Sequence, residues 1–276
     1  MKQRIKLLPT LLLLVIAVAI IYFFRNVLIN QVQLQVLGMI RKRAVFSNAV
    51  FVRPGNSHQQ HHLYSLKGLD RIWPHRVNSI QRLHYLYPDF VGFECDIQFD
   101  AASGKLYIAH DSDDLNSLVF TDYLGREDKD HKLFWLDVKN LDSLNQESFC
   151  SDLEQLDQQY EIKNRVIIES PNSAVLNRLN QSGWLCSLYL PSAFPAELSD
   201  SQNSIGAIAH YLKTNTGLIS QDASLHDLMT KNFPQAKQLI WDIRFRDALN
   251  KDLLLKLAND SSILLCLINV KSPGYR

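Results

Sequence analysis

The stretch Gly92-Phe93-Glu94-Cys95-Asp96-Ile97-Gln98-Phe99-Asp100 decides the fold and the position of the site. It has the aromatic and branched composition of a buried strand, and side chains alternate between the two faces of a strand. Glu94 and Asp96 therefore share one face, and Cys95 points to the other. Two carboxylates on a buried face repel each other unless a cation neutralises them. The stretch thus predicts a strand that ends in a polar site.

Working outward from this strand, short β-rich runs recur through the rest of the chain after residue 70. The eight strand candidates are residues 71–74, 91–99, 133–138, 165–169, 185–190, 217–220, 238–243 and 263–270, and 105–109 would form a hairpin with the second. Amphipathic segments between them, typical of helices, are 77–87, 144–159, 174–181, 224–232 and 248–259. This α/β alternation predicts a (β/α)8 TIM barrel. A doubly wound open sheet is the alternative, but no GxGxxG loop follows the first strand.

The amino terminus has a different composition from the rest of the chain. Residues 7–24 carry no charge, follow Lys2, Arg4 and Lys6, and would span roughly 27 Å as a helix, about one bilayer core. No small-x-small cleavage site follows them, which favours an uncleaved transmembrane helix over a cleaved signal peptide. The basic residues before the segment predict a single-pass protein with its domain outside the cytoplasm, although the basic residues at 41–43 oppose that orientation.

These observations divide the chain into a membrane anchor over 1–25, a stalk or linker over 26–70 and a barrel over 71–276. The 29 basic and 28 acidic residues give a net charge of +1, so we expect no nucleic-acid partner. The four cysteines form no CxxC pair, which argues against a zinc site or a dense disulfide framework. We expect a monomer.

Polar residues concentrate where the predicted strands end, which is where barrel enzymes place their sites. Besides the Glu94 strand, these ends are His75-Arg76-Val77-Asn78, His110-Asp111 and Asp137-Val138-Lys139. Each feature alone is more often a turn or a surface ion pair. Together, in order on a predicted barrel, they indicate one divalent cation held by oxygen ligands and flanked by two imidazoles. Such a site suits phosphodiester chemistry, with one histidine as base and the other as acid.

The same series of motifs resembles the glycerophosphodiester phosphodiesterase or PLC-like phosphodiesterase superfamily of metal-dependent barrels. The compact His75-Arg76-Val77-Asn78 opening and the Leu136-Asp137-Val138-Lys139 strand are more similar to its sphingomyelinase D and menorin-type relatives. The resemblance covers about residues 71–140. Near the end of the chain, Trp241-Asp242-Ile243 is similar to the Trp-Thr-Val of the superfamily's seventh strand.

The resemblance implies a role for each matching residue. His75 and His110 would be the acid/base pair, and Glu94, Asp96 and Asp137 would bind Mg²⁺ or Ca²⁺. The substrate contacts would be Arg76, Asn78, Lys139 and Trp241. The sequence departs from the family at Val77, where glycine is usual, at Asp137, where glutamate is usual, and in lacking the longer PENT-type loop. These departures bear on the substrate more than on the chemistry.

Two functions follow as hypotheses. The first is a membrane-anchored, divalent-metal-dependent phosphodiester hydrolase whose substrate is a glycerophosphodiester or a phospholipid headgroup. The second is a non-catalytic barrel that binds a phospholipid or an extracellular partner. Two proton-transfer groups have no use in a binding module, which favours the enzyme. For Glu169, at the end of the fourth strand, a place in the site and a structural role remain open, whereas Trp73, Trp135 and Trp184 are expected in the core.

Overall fold

The computed structural model describes Val18 and residues 66–112, 118–126, 132–191, 202–214, 217–243 and 251–270. The strands in this part are β1 (Ile72–Pro74), β2 (Gly92–Asp100), β3 (Lys105–Ile108), β4 (Leu133–Val138), β5 (Val166–Ser170), β6 (Leu185–Tyr189), β7 (Leu218–Asp222), β8 (Lys237–Ile243) and β9 (Ile263–Ile268). The helices are α1 (Ile80–Leu86), α2 (Phe120–Leu124), α3 (Gln146–Tyr160), α4 (Ser173–Gln181), α5 (Gln202–Thr214), α6 (His226–Asn232) and α7 (Lys251–Asn259). The structure confirms the eight strand candidates and the hairpin strand. It also contains two helices, α2 and α5, that were not predicted.

All nine strands form one sheet in the order β1-β9-β8-β7-β6-β5-β4-β2-β3. Every neighbouring pair is parallel except the β2–β3 hairpin. The sheet curls until β1 and β2 meet. There, the backbone N–H of Val77 donates to the carbonyl of Glu94 at 2.8 Å. A Cβ at Gly92 would lie 2.4 Å from the indole of Trp73, so only glycine lets the two strands approach this closely.

The interior of the curled sheet is filled by side chains that mostly alternate along its strands, as the two-residue period of a strand requires, with the consecutive pair Leu264 and Leu265 as an exception. This inner core consists of Trp73, Leu133, Trp135, Ile167, Leu185, Leu218, Leu239, Leu264, Leu265 and Leu267. Leu66, within the predicted stalk, packs against it, and its carbonyl accepts from Arg71 Nε at 2.9 Å. Leu66 therefore contacts the barrel core from a position within the predicted stalk.

Local capping sets where helices begin, which in turn sets the loops at the carboxyl ends of the strands. The side chain of Ser79 accepts from Arg82 N at 3.2 Å and starts α1 directly after the β1 loop. Asn172 accepts from Val175 N at 3.3 Å and starts α4 two residues after β5. Both residues are typical N-caps, because a short polar side chain satisfies an otherwise unpaired N–H of the first turn.

Among the described residues, no helix is long and apolar enough to cross a membrane. The predicted anchor over residues 7–24 lies outside them apart from Val18, and so does the predicted stalk up to residue 65.

Candidate active site

A cavity of about 420 Å³ opens at the carboxyl ends of the strands. Its walls include His75, Arg76, Glu94, His110, Asp137, Lys139 and Trp241, all of them predicted site residues. Chain segments far apart in sequence therefore contribute to one cavity. Of the other two predicted residues, Asp96 contacts Lys139, and Asn78 contacts Asp96.

The acidic centre of the site comes from two neighbouring strands. Asp96 on β2 is paired in register with Asp137 on β4, and Glu94 lies two residues earlier on β2. One oxygen of each carboxylate lies within 4.8 Å of the others. Glu94 and Asp96 are each only 1% exposed. Burial, reinforced by the charges of Asp96 and Asp137, raises the pKa of Glu94 well above its ordinary value.

The hydrogen bonds of Glu94 test whether this cluster fits a cation. Its Oε2 accepts from the backbone N–H of Arg76 at 2.5 Å, a contact that Arg76 makes with a positive φ of 55°. Its Oε1 has no hydrogen-bond partner in the described part of the chain. A buried carboxylate oxygen without a partner is costly, and a hard cation is the ligand that removes the cost. The three carboxylates therefore fit a divalent ion.

Lys139 supplies the positive charge beside this cluster. Its Nζ pairs with Asp96 Oδ1 at 2.8 Å and also with Asp137. Burial alone would lower the pKa of Lys139, but the two carboxylates outweigh it and raise the pKa above its ordinary value. The same interaction lowers the pKa of Asp96 against the effect of burial, whereas burial prevails at Asp137 and raises its pKa.

Asn78 holds Asp96 in place. Its Nδ2 donates to Asp96 Oδ2 at 2.6 Å, and its Oδ1 accepts from the Asp96 backbone N–H at 3.0 Å. Both amide atoms of the Asn78 side chain are therefore used to position Asp96, and its contact with substrate stays a prediction.

His75 has a polar neighbour near each of its ring nitrogens, and the one at Nδ1 is within hydrogen-bond distance. Its Nδ1 lies 3.1 Å from Asn269 Oδ1, and its Nε2 lies 3.7 Å from Glu94 Oε2. With the Asn269 oxygen as acceptor, Nδ1 donates and Nε2 keeps a free lone pair. Burial lowers the pKa of His75 to about 4, so the ring is neutral at physiological pH. The buried Arg82 fixes the backbone here by donating to the carbonyls of His75 at 2.8 Å and Val270 at 2.7 Å.

His110 lies nearer the mouth of the cavity, and its side chain is 42% exposed. Its Nδ1 lies 2.9 Å from Asp111 Oδ1. The backbone around it is held to β2, because the N–H of Ala109 donates to the carbonyl of Asp96 at 3.1 Å and Gln98 Nε2 donates to the carbonyl of His110 at 2.9 Å. The β2–β3 hairpin therefore carries His110 to the same cavity as His75.

Glu169, Tyr189 and Trp241 also line the cavity. The Tyr189 and Trp241 rings are stacked, with centroids 5.7 Å apart and planes at 8°. Glu169 is 2% exposed and in register with Asp137. Because it also lines the cavity, it belongs to the site and is more than a structural residue of the core. Burial, followed by the Asp137 charge, raises the pKa of Glu169 well above its ordinary value.

Some of these residues were not found by sequence reasoning. Tyr189 received no role, although it shares the parity of the inward-facing Leu185 in the same strand. Asn269 fell within the last strand candidate and received no role, but it orients His75. Trp135 is in the core as expected, but it also lines the cavity. Trp73 and Trp184 are buried as predicted.

Comparison with known proteins gives the fold an independent reference. No protein-family model matches the chain, and no curated protein matches it. Solved structures do match, and several of them are described as glycerophosphodiester phosphodiesterases. The chain thus has the fold of that superfamily, and the resemblance read from the sequence is confirmed at the level of the fold.

Three of these structures show the extent of the likeness. A Silicibacter pomeroyi protein, provisionally described as a glycerophosphoryl diester phosphodiesterase, has a TM-score of 0.55 at 13% identity, over 75% of this chain and 93% of its own. An Oleispira antarctica phosphodiesterase in complex with the product sn-glycerol-3-phosphate has a TM-score of 0.52 at 14% identity, over 74% and 94%. The Thermotoga maritima glycerophosphodiester phosphodiesterase has a TM-score of 0.50 at 10% identity, over 72% and 93%.

Proposed function

We propose that this chain is a membrane-anchored phosphodiester hydrolase that depends on a divalent metal and acts on glycerophosphodiesters. The observation that carries the proposal is a cluster of three carboxylates, two of them in the cavity wall, beside two imidazoles and one ammonium group in the same wall. The fold shared with phosphodiesterases, one of them in complex with sn-glycerol-3-phosphate, supports the choice of substrate.

Glu94, Asp96 and Asp137 would hold the metal. Their ligand atoms are all hard carboxylate oxygens, which favour Mg²⁺ or Ca²⁺ over zinc. When bound, such an ion offsets the charge of the phosphodiester and polarises its phosphoryl group. Asn78 would keep Asp96 in the orientation that the ion requires, since both amide atoms of its side chain bond to that residue.

The two histidines would move the protons. His75 is neutral and presents Nε2 towards the carboxylate cluster, so it is suited to accept a proton from the attacking oxygen. His110 lies nearer solvent with its Nδ1 on Asp111, and it would give a proton to the leaving oxygen. The two roles are the same whether the attacking oxygen belongs to water or to a hydroxyl group of the substrate.

Two basic side chains would bind the phosphate. Lys139 lies in the cavity wall beside Asp137, and Arg76 is exposed at the cavity wall on the His75 side. Their positive charges would orient the diester and stabilise the negative charge that develops on its oxygens.

Hydrolysis assays on the detergent-solubilised full chain test the proposal. After treatment with a chelator, the protein should hydrolyse bis(p-nitrophenyl) phosphate and glycerophosphodiesters only when Mg²⁺ or Ca²⁺ is restored. Asp96→Asn should abolish this response. Glu147→Gln is the matched control, because it removes a carboxylate that is 76% exposed and paired with Arg178 on the surface. Retained binding of a diester without any hydrolysis would favour the non-catalytic barrel.

The anchor is a separate part of the proposal. We infer from residues 7–24 that the domain is held at a membrane on its extracytoplasmic side. Fusions of alkaline phosphatase and of a fluorescent protein to the carboxyl terminus test the orientation. Phosphatase activity without fluorescence is expected, and the opposite pattern would place the domain in the cytoplasm.

A further inference from the structure

We propose that Gln98 is a positioning residue for the proton donor His110, and that it thereby sets how fast an unactivated alkyl alcohol leaves the phosphorus. The inference rests on the proposed function, because it concerns the proton that His110 would give to the leaving oxygen. It adds a residue that is neither a metal ligand, a proton-transfer group nor a phosphate contact, and it assigns that residue to one step of the reaction.

The first observation is the place of His110 in the hairpin. The last residue pair of the β2–β3 ladder is Ile97 with Ile108, so His110 lies two residues beyond the paired region. Its side chain is 42% exposed, and the Asp111 carboxylate beside its Nδ1 is 68% exposed. Because a misplacement of about 1 Å can cost on the order of 10²-fold in rate, a proton donor on such a segment needs its backbone held.

The second observation is that two hydrogen bonds from β2 hold this backbone. The N–H of Ala109 donates to the carbonyl of Asp96 at 3.1 Å, and Gln98 Nε2 donates to the carbonyl of His110 at 2.9 Å. A carbonyl oxygen can only accept, so the NH₂ group of Gln98 must face His110. Within the described part of the chain, the other hydrogen-bond contact of His110 is with its exposed neighbour Asp111.

The third observation is the face of the strand that Gln98 occupies. Gln98 is 7% exposed, and the two-residue period of β2 places it on the same face as Glu94 and Asp96. One strand repeat of about 7 Å therefore separates a metal ligand from the residue that holds His110. His110 also interacts electrostatically with Asp96 and Asp137, so its ring lies near the carboxylate cluster. Strand β2 thus sets the spacing between the metal site and the proton donor.

The part of β2 around Gln98 is itself anchored on both sides. The N–H of Lys139 donates to the carbonyl of Ile97 at 2.9 Å. The side-chain amide of Asn140 accepts from the N–H of Phe99 at 2.9 Å and donates to its carbonyl at 2.8 Å. These bonds continue the pairing of β2 with β4 beyond the last residue of β4. Gln98 therefore extends from a fixed backbone, and its bond to His110 transmits that position.

The consequence concerns the leaving alcohol. In the proposed reaction the attacking oxygen bonds to phosphorus and passes its proton to His75, while the bond to the leaving oxygen breaks and that oxygen takes the proton from His110. An alkyl alkoxide needs this proton in order to leave, whereas p-nitrophenolate is stable without it. Loss of the Gln98 bond should therefore slow a diester with an alkyl leaving group more than one with a p-nitrophenyl leaving group.

A matched pair of substrates tests this selectivity. The ethyl and p-nitrophenyl esters of glycerol 3-phosphate differ only in the leaving alcohol. The assay measures release of that alcohol by the full chain in detergent with saturating Mg²⁺ or Ca²⁺, so the readout is the same for attack by water and by a substrate hydroxyl group. We expect Gln98→Met to lower kcat for the ethyl diester by about tenfold, a fraction of the ~10²–10⁴-fold that a positioned proton donor supplies. The p-nitrophenyl diester should lose about twofold or less, with little change of KM for either.

Reference variants identify the step. His110→Ala should show the same selectivity, with a larger loss on the ethyl diester, whereas His75→Ala should slow both diesters alike. A merely structural role of Gln98 would also slow both alike. The surface control Glu147→Gln should preserve both rates. Gln98→Asn is a second test variant, because its amide is one methylene too short for the His110 carbonyl and keeps the position polar; it should show the selective loss even if Gln98→Met does not fold.

The outcomes separate this inference from the proposed function. If the wild type fails to hydrolyse the ethyl diester when metal is restored, the proposed function is wrong and the role of Gln98 is wrong with it. If the wild type hydrolyses both diesters but a folded Gln98 variant slows both equally, or neither, the role of Gln98 is overturned and the proposed function stands.

Discussion

Replacing Glu94 by glutamine should stabilise the metal-free protein while abolishing its stabilisation by metal. The carboxylate is 1% exposed, its Oε1 is without a partner among the described residues, and two other carboxylates lie within 4.8 Å. Its raised pKa means that the folded chain binds this proton more readily than the unfolded chain does. The stability that Glu94 contributes is therefore complete at low pH and is lost as the pH rises above its ordinary value of 4.5.

Glu94→Gln has no ionisable group at this position, so its stability does not fall in this way as the pH rises. Its amide oxygen can still accept the Arg76 N–H, and its NH₂ group would face the neighbouring carboxylates as a donor. An unpaired buried polar group costs on the order of 1–3 kcal/mol, and more when it is charged, so we expect a gain of about 2 kcal/mol at pH 8. For a domain of this size, that gain raises Tm by about 4–8 °C. The gain should shrink towards zero near pH 4, where the wild-type carboxyl is protonated.

Thermal unfolding followed by circular dichroism, with chelator or with Mg²⁺ or Ca²⁺, measures both effects. At a metal concentration of about 100 Kd, the wild type should gain about 2.7 kcal/mol and the variant almost nothing. The reasoning is refuted if Glu94→Gln is less stable than the wild type in chelator at pH 8, or if metal stabilises both proteins equally. The first result would mean that the buried charge is already compensated, and the second that Glu94 is not a ligand.

The remaining predictions concern proton transfer, metal binding and packing. His75→Ala and His110→Ala should each lower kcat by about 10² or more in the diester assay while the circular dichroism spectrum is retained; near wild-type turnover would remove that histidine from the mechanism. Because burial lowers the pKa of His75 from 6.5 to about 4, the stability it contributes is present above pH 6.5 and is lost as the pH falls towards 4; urea titrations of metal-free protein should show a loss of about 3 kcal/mol that His75→Asn lacks. Calorimetry should show weaker divalent binding in Asp96→Asn, and unchanged affinity would contradict its assignment as a ligand. Gly92→Ala should destabilise the barrel by about 1–3 kcal/mol in the same titrations, since the new Cβ would lie 2.4 Å from Trp73, and an unaffected midpoint would show that β1 and β2 need not approach so closely.

The strands, and the placement of two carboxylates on the same face of one strand, could be predicted because both depend on local periodicity. The two-residue period places Glu94 and Asp96 on one face of β2, and the structure keeps them there. The same argument places Asp137 and Lys139 on one face of β4 and its end, and the two side chains form an ion pair. Helix α5 was not anticipated, because Ser204 and Gly206 dilute its amphipathic pattern, and such helices form through tertiary packing more than through propensity.

Contacts between residues of different strands could not be predicted in this way. Periodicity tells which face of its own strand a residue occupies, but the order and register of the strands decide which residues meet across the sheet. Tyr189 and Trp241 stack only because β6 and β8 curve around the same cavity. Asn78 was expected to contact the substrate, and its position behind Asp96 follows from the closure between β1 and β2.

By itself, the sequence determined the parallel barrel, the acidic cluster and both histidines, since each is encoded by a short run whose chemistry depends on neighbours in the chain. Only the tertiary structure decided that Glu169 faces the cavity, that Asn269 orients His75, and that Tyr189 and Trp241 stack in the cavity wall. The physical reason is the distance in sequence over which the interactions act. Alternation of side chains depends only on neighbouring residues of one strand. Which residues share a cavity depends on how all the strands curve and close into a barrel, and no single segment encodes that.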